Sequence, residues 1–286
     1  MHDELPLPGD DDAPPVRYRE TAPPPALARS VCCTWSLVVG DGARDHLLRV
    51  LPDGCADLVW VDGAPPFAAG PATRTDEALL APGTVVVGVR FRPGWAPYGL
   101  GAEASDLLDR DVRLTDLWGR GAAPLIDSLD RPATARARLD ALERALLAHR
   151  GAPGTGTVDP LGPVATAWLA RHPGGRIEAL AREIGVSPRQ LHRRFVAAVG
   201  YGPKTFQRIA RFQRLLALAR PPARARLGQL ALEAGYADQA HMTREVGELA
   251  GRTPAAVVGR VGSALEVADL FPSAPDPLRG TTPLRR

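Results

Sequence analysis

Two stretches of the sequence carry side chains suited to gripping a polyanion with direction. At about 100° per residue, Arg189, His192, Arg193 and Val196 fall on one side of a helix, while Leu191, Phe195 and Val199 fall on the other. A second stretch turns Ala240, His241 and Arg244 outward and Met242, Val246 and Leu249 inward. Arginine presents a planar fork of donors that matches guanine edges and phosphate oxygens. A helix face bearing it near the helix N-terminus therefore suits a DNA major groove. Neighbouring polar residues read differently. Gln190 is expected to cap rather than to read bases, and Arg194 lies on the flank. Arg208, Arg211 and Arg214 either touch phosphates or simply meet solvent.

The elements that must position these side chains form a weak internal repeat. Ala181-x3-Gly185 recurs as Ala231-x3-Gly235, and Leu191, Phe195, Gly200 and Pro203 recur as Met242, Val246, Gly251 and Pro254. Each unit reads as a helix, a Gly-containing turn and a second helix, the pattern of a helix-turn-helix. In the first unit, Ile177, Leu180, Ala181 and Ile184 give a buried stripe that Gly185 terminates. Ser187-Pro188-Arg189-Gln190 then supplies an N-cap, a first-turn proline and a capping box. Asp238 is the expected cap in the second unit. Between the units, Pro203 to Ala219 reads as one helix with Phe206, Ile209, Phe212 and Leu216 inward. Such a helix spans roughly 26 Å, of the order of one DNA turn, about 34 Å. One chain could thus reach two adjacent major grooves.

Charge agrees with that reading. The net charge of +3 is uneven: residues 160–262 hold 16 Arg or Lys against 6 Asp or Glu, or +10, leaving −7 for the rest. A basic half beside an acidic one points to a polyanionic partner. Lys204 is the only lysine, so arginine abundance also reflects compositional bias and cannot stand alone as an argument.

At these residues the sequence resembles a known family. The segments IEALAREIGVSPRQLHRRFVAAVGYGP and LALEAGYADQAHMTREVGELAGRTPAAV make residues 164–260 resemble the bipartite DNA-binding domain of AraC-type transcriptional regulators. The resemblance implies base contacts from Arg189, His192 and Arg193 in the first unit and from Gln239, His241 and Arg244 in the second. It also departs from the family pattern. Val246 stands where phenylalanine is usual, and Gly247 and Glu248 where basic residues are common, so a weaker second recognition helix is expected.

The first half has a different texture. Residues 1–28 show no apolar period and are expected to form a disordered lead, as is the Pro-rich tail at 263–286. From 30 to 91, β-rich runs (Thr34 to Val39, His46 to Leu51, Asp57 to Val61, Thr84 to Phe91) alternate with Asp-Gly turns. They predict a small antiparallel β-barrel or sandwich with helices, giving an α+β chain: a sensing or dimerisation domain at 29–150, a Gly/Pro linker at 151–160 and an all-α domain of two helix-turn-helix units joined by a long helix at 161–262. Pro124 to His149 reads as a helix that packs on the sheet or on a second subunit. RVLPDGCADLVWVDG and GVRFRPGWAPYGLG resemble an uncharacterised domain found ahead of AraC-type DNA-binding regions. Asp53, Cys55, Asp57, Arg90, Arg92 and Trp95 are the candidate pocket residues. Each has a plain structural alternative: a hairpin turn at Asp53, a buried thiol at Cys55, an ion pair at Asp57, core packing at Trp95. Were a ligand to bind, Arg90 and Arg92 would favour an anionic group.

Hydrophobic residues make up 45% and charged residues 23% of the sequence, as in a globular protein, and no apolar run of about 18 residues offers a membrane span. Three cysteines, Cys32, Cys33 and Cys55, are too few for a disulfide framework or a four-ligand zinc site. No catalytic residues, cofactor or metal are expected. The leading expectation is a cytoplasmic, nucleoid-associated transcription regulator, an activator by family habit. Double-stranded DNA is its partner, with a small-molecule effector, a homodimer and RNA polymerase as further partners. The alternative is a reactive-cysteine sensor or enzyme-like N-terminal domain fused to a DNA-binding one.

Overall fold

The computed structural model describes residues 16–131, 133–150, 159–220 and 226–259. The N-terminal part is built on eight strands: β1 (Val16–Thr21), β2 (Val31–Val39), β3 (His46–Val50), β4 (Ala56–Val61), β5 (Phe67–Ala69), β6 (Asp76–Leu80), β7 (Val85–Phe91) and β8 (Asp111–Arg113). Six form one antiparallel sheet in the order β1-β2-β7-β4-β5-β8, and β3 pairs with β6 as a separate ribbon. The sheet is open, so of the two forms expected from the turn spacing, barrel or sandwich, the closed barrel is not the one taken.

The reason lies in the central strands, which are apolar on both faces. Along β4 and β7, Leu58, Trp60, Val87 and Val89 point to one side, and Val59, Val61 and Val86 to the other. A sheet buried on both faces needs a cover on each. The first face is covered by α4 (Ala135–Arg150), whose Leu139, Leu142 and Leu146 are buried in the same core. This is the sheet-packing role expected of the 124–149 region, although α3 (Ala123–Leu129) forms a separate helix before it. The second face lies under the β3–β6 ribbon, which contributes Leu48 and Leu80. Two shorter helices, α1 (Ala96–Leu100) and α2 (Leu114–Trp118), complete this half.

The lead is shorter than expected. Val16–Thr21 pairs with β2 over its whole length, from Val16 opposite Val39 to Thr21 opposite Thr34. As an edge strand it needs only one half-buried face, and Val16 and Tyr18 alone carry that signal among charged neighbours. Residues 22–28 of the expected lead are described too and bury Leu27 in the core under α4, whereas residues 1–15, linker residues 151–158 and the tail lie outside the described residues.

The C-terminal half is helical: α5 (Leu161–Arg171), α6 (Ile177–Ile184), α7 (Pro188–Val199), α8 (Pro203–Leu218), α9 (Leu227–Ala234), α10 (Gln239–Ala250) and α11 (Pro254–Val258). Phe195 and Phe212 are fully enclosed in one core that runs from α5 to α11. Burying each such side chain stabilises by about 1.5–3 kcal/mol. Leu51, which follows β3, belongs to this core as well, so the two halves share apolar contacts. Hydrogen bonds reinforce the join: Thr166 Oγ1 donates to Pro93 O at 3.2 Å and Gln213 Nε2 to Pro52 O at 2.7 Å.

Candidate functional site

Local sequence chemistry sets the position of both candidate reading helices. Ser187 Oγ accepts from Gln190 N while Gln190 Oε1 accepts from Ser187 N, completing the capping box at the start of α7. Asp238 Oδ1 accepts from His241 N at 2.6 Å and caps α10 by that single bond. The turns before them depend on Gly185 and Gly235, whose φ values of 75° and 97° lie in the left-handed region that side chains with a Cβ avoid. Beyond the caps, Arg189, His192 and Arg193 are exposed on α7, and Gln239 and Arg244 on α10. Among the described residues, Arg189, Arg193 and Arg244 make no salt bridge.

Several neighbours are committed elsewhere. His241 is half-buried: its Nδ1 accepts from Ala237 N, which assigns the ring proton to Nε2, 3.2 Å from Glu245 Oε1. Glu245 also receives Arg211 Nη2 at 2.8 Å and Arg208 Nε at 3.3 Å, and Arg208 bonds Glu248 in addition. Arg208 and Arg211 therefore join α8 to α10, while Arg214 stays exposed. Arg194 holds Asp159 at 2.5 Å, and that bond keeps the Asp159 carboxyl below its usual range. This network was invisible in the sequence because its members lie 34 to 40 residues apart.

The candidate pocket residues divide into two sets. A cavity of about 290 Å³ lies between the large sheet and the β3–β6 ribbon, and Asp53, Asp57 and Arg90 line it. Register brings them together, since Asp57 sits directly opposite Arg90 on β7. Arg90 Nε is 3.2 Å from both Asp57 oxygens and 3.5 Å from Asp53 Oδ2, and Trp35 Nε1 donates to Asp57 Oδ1 at 2.6 Å. Trp35 can lie flat against β7 because Gly88 is opposite; a Cβ there would sit 2.4 Å from the indole. Burial pushes the Asp57 carboxyl up to about 6, against the pull of Arg90, and raises Asp53 too.

Cys55, Arg92 and Trp95 lie off this cavity. Cys55 is buried with its N–H on Asp53 Oδ1, Arg92 Nε donates to Ala28 O, and Trp95 stands edge-on to Tyr98 beneath Arg29. The three thiols are free. Hydrogen bonding from Cys33 and Cys55 holds Cys32 well below the usual thiol range. Cavity residues that sequence reasoning missed include Tyr18, inside the supposed lead, and Arg49 and Thr75 on the ribbon side, which have no local motif.

Comparison with known families and structures follows this division. Residues 180–260 match the model of a helix-turn-helix domain, running from within α6 through α11 with both capped units. The C-terminal region is an AraC-type helix-turn-helix domain. Residues 19–113 match a domain of unknown function, DUF6597, which runs from within β1 through β8 and takes in the cavity lining apart from Tyr18. A transcription regulator that binds DNA through its AraC-type domain is the function class these matches carry. No curated protein matches the sequence. Among solved structures, the chain is similar to ToxT from Vibrio cholerae O395, at 8% identity over 76% of this chain and 96% of that one, with a TM-score of 0.41. It is also similar to unsaturated fatty acid bound ToxT from strain SCE256, at 10% identity over 85% and 94%, with a TM-score of 0.38. No helix among the described residues is long and apolar enough to cross a membrane.

Proposed function

We propose that this chain is a sequence-specific regulator that sets α7 and α10 into adjacent major grooves of double-stranded DNA. Arg189, His192 and Arg193 read one half-site, and Gln239 and Arg244 the other. The observation that carries this reading is the repeated arrangement of a capped helix with arginine ends that no carboxylate among the described residues neutralises. His241 acts mainly by orienting α10, through Glu245, rather than by reading a base. Glu245 and Glu248 tie up Arg208 and Arg211 beside α10, which leaves the second unit less positive charge for phosphate. The first unit therefore supplies more of the affinity.

The N-terminal half adjusts this binding through an effector in its cavity or through a second copy of the chain. Contact with RNA polymerase from a DNA-bound position in the cytoplasmic nucleoid would make the chain an activator. Fluorescence anisotropy on a selected site and on random duplex tests the reading. Preference for the selected site must persist at about 150 mM salt, where binding to phosphates alone fades. Equal affinity for both duplexes would overturn it.

A further inference from the structure

Resting on the reading of the N-terminal half as effector-responsive, we propose that the cavity under the β3–β6 ribbon takes a small apolar organic cation, a protonated amine, and passes its occupancy to α10 through Thr75 and Arg49.

Charge at the cavity floor argues for a cation. Asp57 and Asp53 both face the one guanidinium of Arg90, at 3.2 and 3.5 Å. Two carboxylates against one cation leave the floor one positive charge short, and over the whole lining five aspartates face four arginines. Arg90 is thus occupied and does not serve an anion, contrary to what the sequence led one to expect. Its Nη1 lacks a hydrogen-bond partner but is sealed from solvent, beyond reach of a ligand in the cavity. The walls favour carbon. Tyr18, Trp35 and Phe67 line the cavity, with the first two rings 6.1 Å apart. Aromatic faces beside carboxylates attract an ammonium group while the apolar lining receives its hydrocarbon. At about 290 Å³ the space sits at the small end of ligand sites.

The route to the reading helix is short. Thr75 donates from N at 2.9 Å and from Oγ1 at 3.1 Å to Leu249 O, and Arg49 Nη2 donates to Ala250 O at 3.4 Å. Both residues line the cavity, and both acceptors end α10. A ligand that displaces the ribbon therefore pulls on the second recognition helix.

Three probes of one shape test the charge preference on the full chain by isothermal titration: 4-phenylbutylamine, 4-phenylbutanol and 4-phenylbutyrate. The amine should bind at least about tenfold more tightly than the other two. Asp57→Asn should bring amine and alcohol level. Because Asp57 is buried and its loss can harm folding, Ala78→Trp provides a second variant. Ala78 is an exposed ribbon residue at the cavity edge, and the larger side chain should abolish amine binding. Tighter binding of the carboxylate, binding of none of the three, or amine binding that survives Ala78→Trp would overturn the proposal. The amine should also shift DNA affinity, and the Arg49→Ala/Thr75→Ala double variant should shrink that shift. An undiminished shift would contradict the route. DNA binding is measured in parallel without amine: if it holds while the amine fails to bind, only this proposal falls, whereas loss of specific DNA binding would remove the regulatory reading itself.

Discussion

Arg193 and Arg244 hold equivalent places on α7 and α10, both exposed and outside any salt bridge among the described residues. Each should therefore specify bases in its own half-site. Arg193→Ala or Arg244→Ala is expected to cost about 1–3 kcal/mol on the selected site and far less on random duplex. Equal losses on the two duplexes would reduce both residues to phosphate contacts. Asp57 yields a different prediction. Burial raises its carboxyl from 3.8 to about 6 in the folded chain, with Arg90, Asp53, Cys32 and Trp35 Nε1 facing it. The folded state thus keeps this proton to higher pH than the unfolded state does. Its contribution to stability is fully present below about pH 4 and is withdrawn as pH rises through 6. Urea unfolding should show wild type losing stability relative to Asp57→Asn between about pH 4 and 7. A pH-independent difference would show that the carboxyl titrates normally.

At the scale of elements, the helices were the most legible part of the sequence because their signals are local. Ser187, Gln190, Asp238, Gly185 and Gly235 act within a turn of where they stand, and the structure uses each as expected. Asp238→Ala should remove about 1 kcal/mol of stability and fray the start of α10, lowering specific DNA affinity as well. Unchanged thermal unfolding would mean that the cap at His241 N adds nothing. The central strands could also be read, since β4 and β7 are long apolar runs. Turn spacing does not decide between barrel and sandwich, because it does not report which faces are polar; the structure takes the open form. Edge strands β1 and β8 and the ribbon strand β6 escaped notice: DEALL is exposed at four of its five positions and shows no alternation. Of the candidate pocket, the triad Asp53, Asp57 and Arg90 could be named but not its geometry, which depends on pairing across β4 and β7.

Over the whole molecule, the join between the halves matters most, and no local pattern announces it. Leu51 leaves the ribbon and enters the helical core, Pro52 O meets Gln213 on α8, and the ribbon itself is bonded to the end of α10. Leu51→Ala should cost about 2–4 kcal/mol and destabilise the helical half along with the sheet. Helix and sheet signals unfolding apart, with only the sheet affected, would show that the halves are independent. The most direct measurement is selection of bound sites from a random DNA library with the full chain at about 150 mM salt. Two conserved blocks about 10 base pairs apart are expected, one erased by Arg193→Ala and the other by Arg244→Ala. Binding that is only salt-sensitive, with no enriched sequence, would contradict the claim that the two units read DNA.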